Sequence, residues 1–243
     1  MIGIIGLGWV GKAMLSVFPD AICADKEDSL REINKCDITF VCVPTPFLNG
    51  KLDTSIVEEV VMSCESELIV IRSTLAVGTC DKLESTGKNI VMQPEYLGET
   101  VAHPLLNEGS RQFLIIGGKP ENRLKLIELY QKVYNANISI RQVTNKEAEI
   151  IKLSENRAIA FKVAQCQELY DACKKDGVDY YTIRDAVYGD DPRFNLWFSF
   201  VYPKSRGFQS KCLPKDVYGW SAWADTPLTK QLLEYNEELI CSQ

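Results

Sequence analysis

The chain has 243 residues, of which 46% are hydrophobic and 25% are charged, and its formal net charge is −6. A chain of this size can bury a substantial core in one large domain or two small ones. The negative charge gives no reason to expect nucleic acid or an anionic membrane as a partner. His103 is the single histidine, which excludes a histidine-rich metal site, and we expect no metal cofactor.

Cysteine usage indicates the cellular compartment. The nine cysteines are scattered and include no C-x-x-C pair, a pattern that fits reduced thiols in the cytoplasm. We expect no signal peptide, because a glycine motif begins almost at Met1. No apolar run approaches the ~20 residues needed to cross a bilayer, so we expect no membrane partner.

Strands and helices are predicted to alternate in the first part of the chain. Short apolar runs predict strands at residues 1–5, 21–24, 38–43, 68–71, 90–92, 113–116 and 138–140. Helices are predicted at residues 12–18, 26–35, 53–64 and 121–134. This alternation predicts an α/β fold with a Rossmann-like, doubly wound and mainly parallel sheet, whose nucleotide crevice lies at the carboxyl ends of the strands.

The second part of the chain has a different character. Residues 146–175 contain neither proline nor glycine, and apolar residues recur through them with helical spacing. We predict one helix of about 30 residues, roughly 45 Å long, which normally needs a partner along its length. Shorter helices are predicted at residues 180–187, 215–223 and 229–241. We therefore expect two domains, at residues 1–144 and 145–243, the second all-helical, and a homodimer formed through the long helix.

The strongest local signal is the sequence GLGWVG at residues 6–11, which follows a predicted strand and opens a predicted helix. Gly6 permits a tight turn, Gly8 lets a pyrophosphate approach the backbone, and Gly11 lets the helix pack on the sheet. Asp25 ends the next strand, where its carboxylate would bind a ribose 2′-hydroxyl and repel a 2′-phosphate. The combination favours NAD over NADP as the cofactor.

Two other interpretations of this glycine pattern are open. The glycines can form a strand-to-helix turn that binds no ligand, with Asp25 capping the helix that follows. FAD uses the same glycine pattern, although nothing else in the sequence indicates a flavin.

Further motifs follow the glycine loop in a fixed order. They are VPTP at residues 43–46, RSTLAVGT at 72–79, PEYLGE at 94–99, AEIIKLSEN at 148–156, DPR at 191–193 and CLPKD at 212–216. This series resembles the motifs of the UDP-glucose/GDP-mannose dehydrogenases and covers nearly the whole chain. The resemblance implies that the chain uses NAD to oxidise a primary alcohol of a nucleotide sugar to a carboxylate, with UDP-glucose to UDP-glucuronate as the expected reaction.

Two features depart from the family pattern. The family continues well beyond the CxPKD motif into another Rossmann-like domain, so the resemblance predicts a shortened form without that nucleotide-binding domain. The nucleophile loop is GFQSKC at residues 207–212, whereas the family has GFGGSC. Gln209 and Ser210 restrict the backbone and add side chains where a sugar would bind, which leaves the identity of the substrate open.

The reaction that the resemblance implies needs a covalent catalyst. Cys212 would hold the aldehyde as a thiohemiacetal and then as a thioester. The flanking Lys211 and Lys215 would favour the thiolate form of this cysteine. Lys152 and Asn156, at i and i+4 on the long helix, would stabilise the oxyanion at the reacting carbon.

The resemblance assigns three overlapping sets of residues. The catalytic set is Cys212, Lys152, Asn156, Asp216, Glu99 and Thr74. The cofactor set is Gly6, Gly8, Trp9, Val10, Gly11, Asp25, Val43, Pro44, Thr45, Ser73, Thr74 and Glu99. The substrate set is Glu95, Tyr96, Leu97, Lys152, Asn156, Arg193 and Gly207. Glu99 is the expected general base of thioester hydrolysis, and Arg193 is expected to reach the substrate of a neighbouring subunit.

Plainer alternatives accompany these assignments. Cys212 can be a small buried apolar residue, and the Lys152 helix face can be simply solvated. For the chain as a whole, two other functions compete with nucleotide-sugar oxidation. One is a single hydride transfer from a small hydroxy acid, as in the β-hydroxyacid dehydrogenases. The other is a non-catalytic NAD-binding protein that acts through a partner.

Overall fold

The computed structural model describes residues 1–26, 28–98, 103, 105 and 107–242. The chain divides into two compact units, Met1–Lys152 and Leu153–Gln243. The first unit combines strands and helices, and the second is helical. Among the described residues, no helix is both long enough and apolar enough to cross a membrane.

A parallel sheet forms the centre of the first unit. The strands of this unit are β1 (Ile2–Ile5), β2 (Ile22–Ala24), β3 (Ile38–Val41), β4 (Phe47–Leu48), β5 (Lys51–Leu52), β6 (Leu68–Ile71), β7 (Ile90–Met92), β8 (Phe113–Ile116) and β9 (Ser139–Gln142). Five of them form the sheet in the order β2-β1-β3-β6-β7, while β8 pairs in parallel with β9, and β4 and β5 form a short hairpin. The winding direction reverses between β1 and β3. The predicted Rossmann-like, doubly wound fold is therefore confirmed, and every predicted strand is present.

One predicted helix of the first unit is wrong. The helices are α1 (Trp9–Val17), α2 (Ser55–Ser63), α3 (Thr79–Glu84) and α4 (Pro120–Tyr130), with short 3₁₀ helices at Ile33–Lys35 and Glu108–Ser110. In the described part of residues 26–35, only the 3₁₀ helix replaces the predicted α-helix. Asp25 Oδ1 accepts a hydrogen bond from Lys26 N at 2.9 Å, and Asp28 Oδ2 accepts one from Asp25 N at 2.8 Å. Such local side-chain bonds compete with helix formation.

Apolar side chains alternate between the two faces of the sheet. One core includes Ile5, Val41, Ile69, Ile71 and Met92. The core on the other face includes Ile4, Phe40, Leu68, Val70 and Val91. Successive side chains of a strand point to opposite faces, so strands with a core on each face are apolar along their whole length. The short uninterrupted apolar runs in the sequence have this origin.

The second unit is built from helices. α5 (Asn145–Lys175), which begins in the first unit and continues into the second, has 31 residues, close to the predicted 146–175. It ends where Gly177 adopts φ +70° and Val178 N donates to Cys173 O at 2.9 Å, an arrangement that commonly terminates helices. The elements that follow are α6 (Tyr180–Asp185), a π-helical turn (Ala186–Asp190), α7 (Leu213–Ala224) and α8 (Pro227–Cys241). The long helix and the small helical domain are thus confirmed.

A buried ion network fixes the segment between β7 and β8 to the end of β6. Arg72 Nη1 donates to Gln93 Oε1 at 2.7 Å and to Glu108 Oε1 at 3.0 Å. Arg111 Nη2 donates to Glu108 Oε2 at 2.7 Å, and Tyr134 OH donates to Glu108 Oε1 at 3.1 Å. Burial alone would raise the pKa of Glu108, but the guanidinium groups of Arg72 and Arg111 lower it to about 2. Glu108 is therefore a buried carboxylate held in its charged form by two cations.

Replacing Glu108 with glutamine should lower the free energy of unfolding by about 3–5 kcal/mol at neutral pH, because two buried guanidinium groups lose their counter-ion. The folded pKa of about 2 lies below the ~4.3 of an unfolded glutamate. The carboxylate therefore stabilises the fold fully above the unfolded pKa, and this contribution is lost as pH falls toward the folded pKa. Urea unfolding of both proteins between neutral pH and about pH 3.5 measures the difference.

Glu67→Gln is the control for this experiment. Glu67 forms an exposed ion pair with Lys125, and such pairs contribute at most about 1 kcal/mol. The Glu108 interpretation fails if the difference in free energy of unfolding between wild type and Glu108→Gln stays constant as the pH is lowered.

Candidate active site

The site motifs of the first unit all lie at one edge of the parallel sheet. Residues 6–11 follow β1, residues 42–46 follow β3, residues 72–74 follow β6 and residues 93–97 follow β7. Because the carboxyl ends of parallel strands meet at the same edge, the fold gathers these segments from distant parts of the sequence. Open α/β sheets bind their ligands at this edge.

Three glycines shape the loop after β1. Gly6 has φ +89°, and a Cβ at Gly11 would lie 1.9 Å from the backbone oxygen of Gly6. Both positions therefore require glycine for the fold itself. Gly8 differs, because no described atom lies within 4 Å of a Cβ placed there. This open space at the start of α1, where the first backbone amides lack helical partners, fits an approaching pyrophosphate.

The other predicted cofactor residues that follow β1 and β2 are at least partly exposed. Trp9 and Val10 begin α1, and the Trp9 side chain is 54% exposed. Asp25 directly follows β2 and is exposed. In the described part of residues 26–35 no α-helix follows Asp25, so this residue does not cap one. Its binding of a ribose hydroxyl stays a prediction, which its place at the carboxyl end of β2 fits.

Hydrogen bonds join the loops after β3 and β6. Ser73 Oγ donates to Val43 O at 2.6 Å, and Thr45 Oγ1 donates to Thr74 O at 2.7 Å. Thr45 is buried, Thr74 is half-buried and Pro44 is exposed. Because β3 pairs with β1, these two loops form a hydrogen-bonded layer next to the glycine loop.

Two cations approach the ring of Tyr96 in the loop after β7. The ring centroid lies 5.0 Å from Lys152 Nζ and 5.4 Å from the guanidinium carbon of Arg111. Lys152 is only 5% exposed, so its ammonium is held against the ring face by a cation–π interaction. The solvated helix face that the sequence left open is therefore excluded for Lys152.

The other expected substrate residues of this loop lie beside Tyr96. Leu97 is buried, and its backbone N–H donates to a carboxylate oxygen of the half-buried Glu95. Glu99 lies outside the described residues. Its role as general base therefore stays a prediction.

In the second unit, Asn236 of α8 holds the loop that carries Cys212 through hydrogen bonds to the loop backbone. Gly207 has φ +74°, and a Cβ there would lie 2.5 Å from Asn236 Oδ1. Asn236 Oδ1 accepts a hydrogen bond from Phe208 N at 2.7 Å, and its Nδ2 donates to Phe208 O at 3.2 Å. This closeness of the Asn236 amide to the backbone requires glycine at position 207.

Gln209 and Ser210, which stand where the GFGGSC pattern has glycines, adopt ordinary backbone conformations. Neither has a positive φ. Gln209 Nε2 donates to Arg206 O at 2.9 Å, and Ser210 Oγ accepts from Leu213 N at 3.2 Å. Ser210 thereby satisfies an amide at the start of α7, as an N-terminal cap does. The two side chains support the loop rather than distort it.

Three expected catalytic residues belong to one hydrogen-bonded network in the second unit. Cys212 is half-buried and directly precedes α7 as its N-cap residue. Its backbone oxygen accepts from Asp216 N at 3.0 Å. Asp216 is fully buried, and its carboxylate accepts from Asn156 Nδ2 and Lys215 Nζ, each at 2.5 Å. Lys215 is thus engaged with Asp216, whereas the other flanking lysine, Lys211, is exposed.

Arg193 lies apart from this network. Within the described residues, the side chain donates hydrogen bonds to Asp191 alone, with Nη2 to Oδ2 at 2.6 Å. It is 80% exposed and follows the π-helical turn Ala186–Asp190. Its role toward a neighbouring subunit stays a prediction.

Sequence reasoning missed the support that Asn236 and Ser210 give to the Cys212 loop. Ser210 lies three residues before Leu213, a separation at which a serine oxygen can accept from an amide at a helix start, although the N-cap residue itself is Cys212. A serine at this distance from the Leu213-Pro214 helix start was a weak signal in the sequence. Asn236 carries no comparable signal, because its partner Phe208 lies far away in the sequence and only the folded chain brings the two together.

Two family models match the chain. Residues 23–138 match the model described as UDP-glucose/GDP-mannose dehydrogenase family, NAD binding domain. Residues 146–238 match the central domain of the same family. The cofactor is therefore NAD, as the glycine loop and Asp25 predicted.

Individual relatives agree with the family models. The UDP-glucose 6-dehydrogenase of Rhizobium meliloti is 26% identical over 221 residues, which are 83% of this chain and 50% of that protein. The GDP-mannose 6-dehydrogenase of Pseudomonas aeruginosa is 29% identical over 211 residues, 78% of this chain and 47% of that protein. The chain thus spans about half the length of these curated relatives. A solved UDP-glucose dehydrogenase structure from Pyrobaculum islandicum has a TM-score of 0.82 at 21% identity, with 98% of this chain and 68% of that chain covered, which supports the fold.

Substitutions at Gly8 and Gly11 should distinguish an effect on cofactor binding from an effect on stability. Gly11→Ala places a Cβ 1.9 Å from a backbone oxygen, so we expect a large loss of thermal stability or no folded protein. Gly8→Ala meets no such contact, so the melting temperature should change little while the affinity for NADH falls at least about tenfold. Thermal unfolding and fluorescence titration with NADH measure both effects. Unchanged NADH affinity in Gly8→Ala would contradict the pyrophosphate assignment.

Asp25 should set the preference between the two nicotinamide cofactors. Asp25→Ala removes a charged acceptor for the ribose hydroxyl and the charge that repels a 2′-phosphate. The ratio of NADPH to NADH dissociation constants should therefore fall by at least about tenfold, since a hydrogen bond to a charged group contributes ~1.5–3 kcal/mol. Asp20→Ala is the control, because Asp20 is exposed before β2, at the opposite edge of the sheet. An equal ratio in both variants would exclude the assignment.

Proposed function

Because the chain belongs to the UDP-glucose/GDP-mannose dehydrogenase family, we propose that it is an NAD-dependent nucleotide-sugar dehydrogenase. The proposed reaction oxidises a sugar primary alcohol to a carboxylate, with UDP-glucose as substrate and UDP-glucuronate as product. The observation that carries this proposal is the half-buried Cys212 at the start of α7, one helical turn before the buried Asp216. A single hydride transfer would need no thiol at this point.

Cys212 is the covalent catalyst in this proposal. Its thiolate adds to the carbonyl carbon of the intermediate aldehyde and forms a C–S bond, while negative charge develops on the former carbonyl oxygen. Loss of a hydride from that carbon gives a thioester. Water then adds, the C–S bond breaks, and the carboxylate and the thiol are released. When bound, NAD supplies the hydride acceptor for both oxidations.

Polar side chains assist each stage. The ammonium of Lys152 and the amide of Asn156 stabilise the oxyanion of the thiohemiacetal. Asp216 positions water or accepts a proton, and Glu99 is the general base of thioester hydrolysis. Thr74 orients a water or the nicotinamide. The side chains proposed to contact the nucleotide sugar are Glu95, Tyr96, Leu97, Lys152, Asn156, Arg193 and Gly207.

We also propose a homodimer formed through residues 146–175. The 31-residue helix that includes this range is about 46 Å long, and helices of this length normally pack along a partner. In such a dimer, the exposed Arg193 of one protomer reaches the substrate bound to the other. Sedimentation velocity of the purified chain measures its mass.

The stoichiometry of NADH formation tests the proposed chemistry. Purified protein is incubated with NAD and with UDP-glucose, GDP-mannose or UDP-N-acetyl sugars in turn, and NADH absorbance is followed. We expect two NADH for each UDP-glucose consumed, because the alcohol loses four electrons in two hydride transfers. Cys212→Ala should abolish carboxylate formation, because no thioester can form. Cys241→Ala, which removes an exposed thiol at the end of α8, should keep the wild-type stoichiometry.

The contrary outcomes identify the competing functions. One NADH for each substrate, unaffected by Cys212→Ala, would support the single-step hydroxyacid-type dehydrogenase. Tight NADH binding without NADH formation from any sugar would support a non-catalytic NAD-binding protein. Either outcome would overturn nucleotide-sugar oxidation through Cys212.

A further inference from the structure

Glu149 is a buried carboxylate in the second turn of α5, within the first unit. Its side chain is 1% exposed. Oε2 accepts a hydrogen bond from Gly78 N at 2.6 Å, and Oε1 accepts one from Cys80 N at 2.8 Å. These amides lie at the start of α3, where backbone N–H groups have no helical partner. One carboxylate therefore satisfies two amides that would otherwise be buried without a hydrogen bond.

Within the described residues, Glu149 forms no salt bridge, and the Lys146 ammonium, which interacts with it electrostatically, is paired with Asp81. Burial raises the pKa of Glu149, and the hydrogen bonds from the Cys80 and Gly78 amides oppose that rise. The carboxylate is thus stabilised by backbone dipoles at the start of α3, an arrangement that suits an anion. Geometry and charge both indicate that Glu149 attaches α3 to α5.

The two elements that Glu149 joins both lead to proposed catalytic residues. α3 follows the segment that contains Thr74, whose backbone oxygen accepts from Thr45 Oγ1. Three residues after Glu149 on α5 comes Lys152, whose ammonium lies 5.0 Å from the centroid of the Tyr96 ring. Because residues at i and i+3 lie on the same side of a helix, holding Glu149 also fixes the rotation of the helix at Lys152.

A second buried polar residue, Asn145, also attaches the start of α5. Asn145 Oδ1 accepts from Met92 N at 2.7 Å, and its Nδ2 donates to Ile90 O at 3.2 Å. Asn145 therefore ties the first turn of α5 to β7, while Glu149 ties the second turn to α3. The Lys146–Asp81 ion pair also joins α5 to α3, but it is exposed, and such pairs contribute little.

We propose that Glu149 is a positioning residue for nucleotide-sugar oxidation. By binding the amides of Gly78 and Cys80, it keeps Lys152 against Tyr96 and at a fixed position relative to the segment that contains Thr74. This inference rests on the proposed function. Glu149 touches neither substrate nor cofactor in this role and acts through Lys152. Loss of the carboxylate should therefore reduce turnover more than it reduces cofactor affinity.

Two substitutions test the proposal. In Glu149→Gln, an NH₂ group faces a backbone N–H, so one hydrogen bond is lost and two donors oppose each other. In Glu149→Asp, the charge is kept but the carboxylate is withdrawn by one methylene. We expect kcat to fall roughly 10- to 100-fold in Glu149→Gln, as a displaced catalytic group does, with the KM for NAD changed less than about twofold. Glu149→Asp should recover part of the lost turnover.

Two controls separate positioning from stability. Leu126→Ala removes a fully buried side chain of α4 and should cost about 2–5 kcal/mol, yet leave kcat unchanged when measured well below its melting temperature. Lys82→Ala removes an exposed ion pair of α3 with Glu58 and should leave both stability and kcat close to wild type. If Glu149→Gln loses stability as Leu126→Ala does but keeps wild-type kcat, the proposal is overturned.

An NMR measurement tests the proposal independently of enzymatic activity. The ring current of Tyr96 shifts the NMR resonance of the Lys152 side chain, which can be assigned in ¹³C-lysine-labelled protein by its absence from Lys152→Arg. In Glu149→Gln, this resonance should move toward the position of a solvated lysine, while in Lys82→Ala and Leu126→Ala it should stay. An unmoved resonance overturns the positioning role. Should the wild-type chain oxidise no nucleotide sugar, the proposed function fails, and this resonance still decides whether Glu149 holds Lys152.

Discussion

The parallel direction of the five central strands is the constraint on which the rest of the first unit depends. Every strand has a core on each of its faces, so its register is set by two packed surfaces at once. A slip of one residue would exchange the two cores and would also shift the point at which each loop leaves the sheet. The glycine loop and the loops after β3, β6 and β7 are therefore placed by the same packing that stabilises the fold.

Beyond the sheet edge, buried polar groups hold the loops in place. Glu108 binds two guanidinium groups across the segment between β7 and β8, and Glu149 binds two backbone amides at the start of α3. In the second unit, Asp216 binds an amide and an ammonium group. Each carboxylate is buried, so each needs these partners to avoid a large desolvation cost. The hydrogen bonds to these carboxylates are directional, so they fix the orientation of the loops, whereas apolar contacts alone do not.

Regular elements with strong periodicity could be predicted from the sequence. Every predicted strand is present. The long helix was predicted to within one residue at its start, because residues 146–175 lack helix breakers. The helix at residues 26–35 was wrong, since hydrogen bonds of Asp25 and Asp28 to nearby amides oppose it. α3 was not predicted, because it has only six residues and its capping carboxylate comes from a distant helix.

The hairpin of β4 and β5 was also missed, although a local signal existed. Asn49 and Gly50 both have positive φ, at 51° and 77°, and an Asn-Gly pair is the usual turn of a two-residue hairpin. For the candidate site, the sequence motifs named the side chains but not their partners. The hydrogen bond of Asn156 to Asp216 joins residues far apart in the chain, and no periodicity encodes such a pairing.

The backbone of the Cys212 loop has a consequence for how relatives of this chain are found. Only Gly207 occupies the left-handed region in this loop, and its Cβ position is blocked by Asn236. The next two positions accept Gln209 and Ser210 with ordinary dihedral angles. A search pattern that demands glycine at all three positions would therefore pass over chains of this kind. Glycine at the first position, together with an asparagine that can bind the following residue, is the physically required signature.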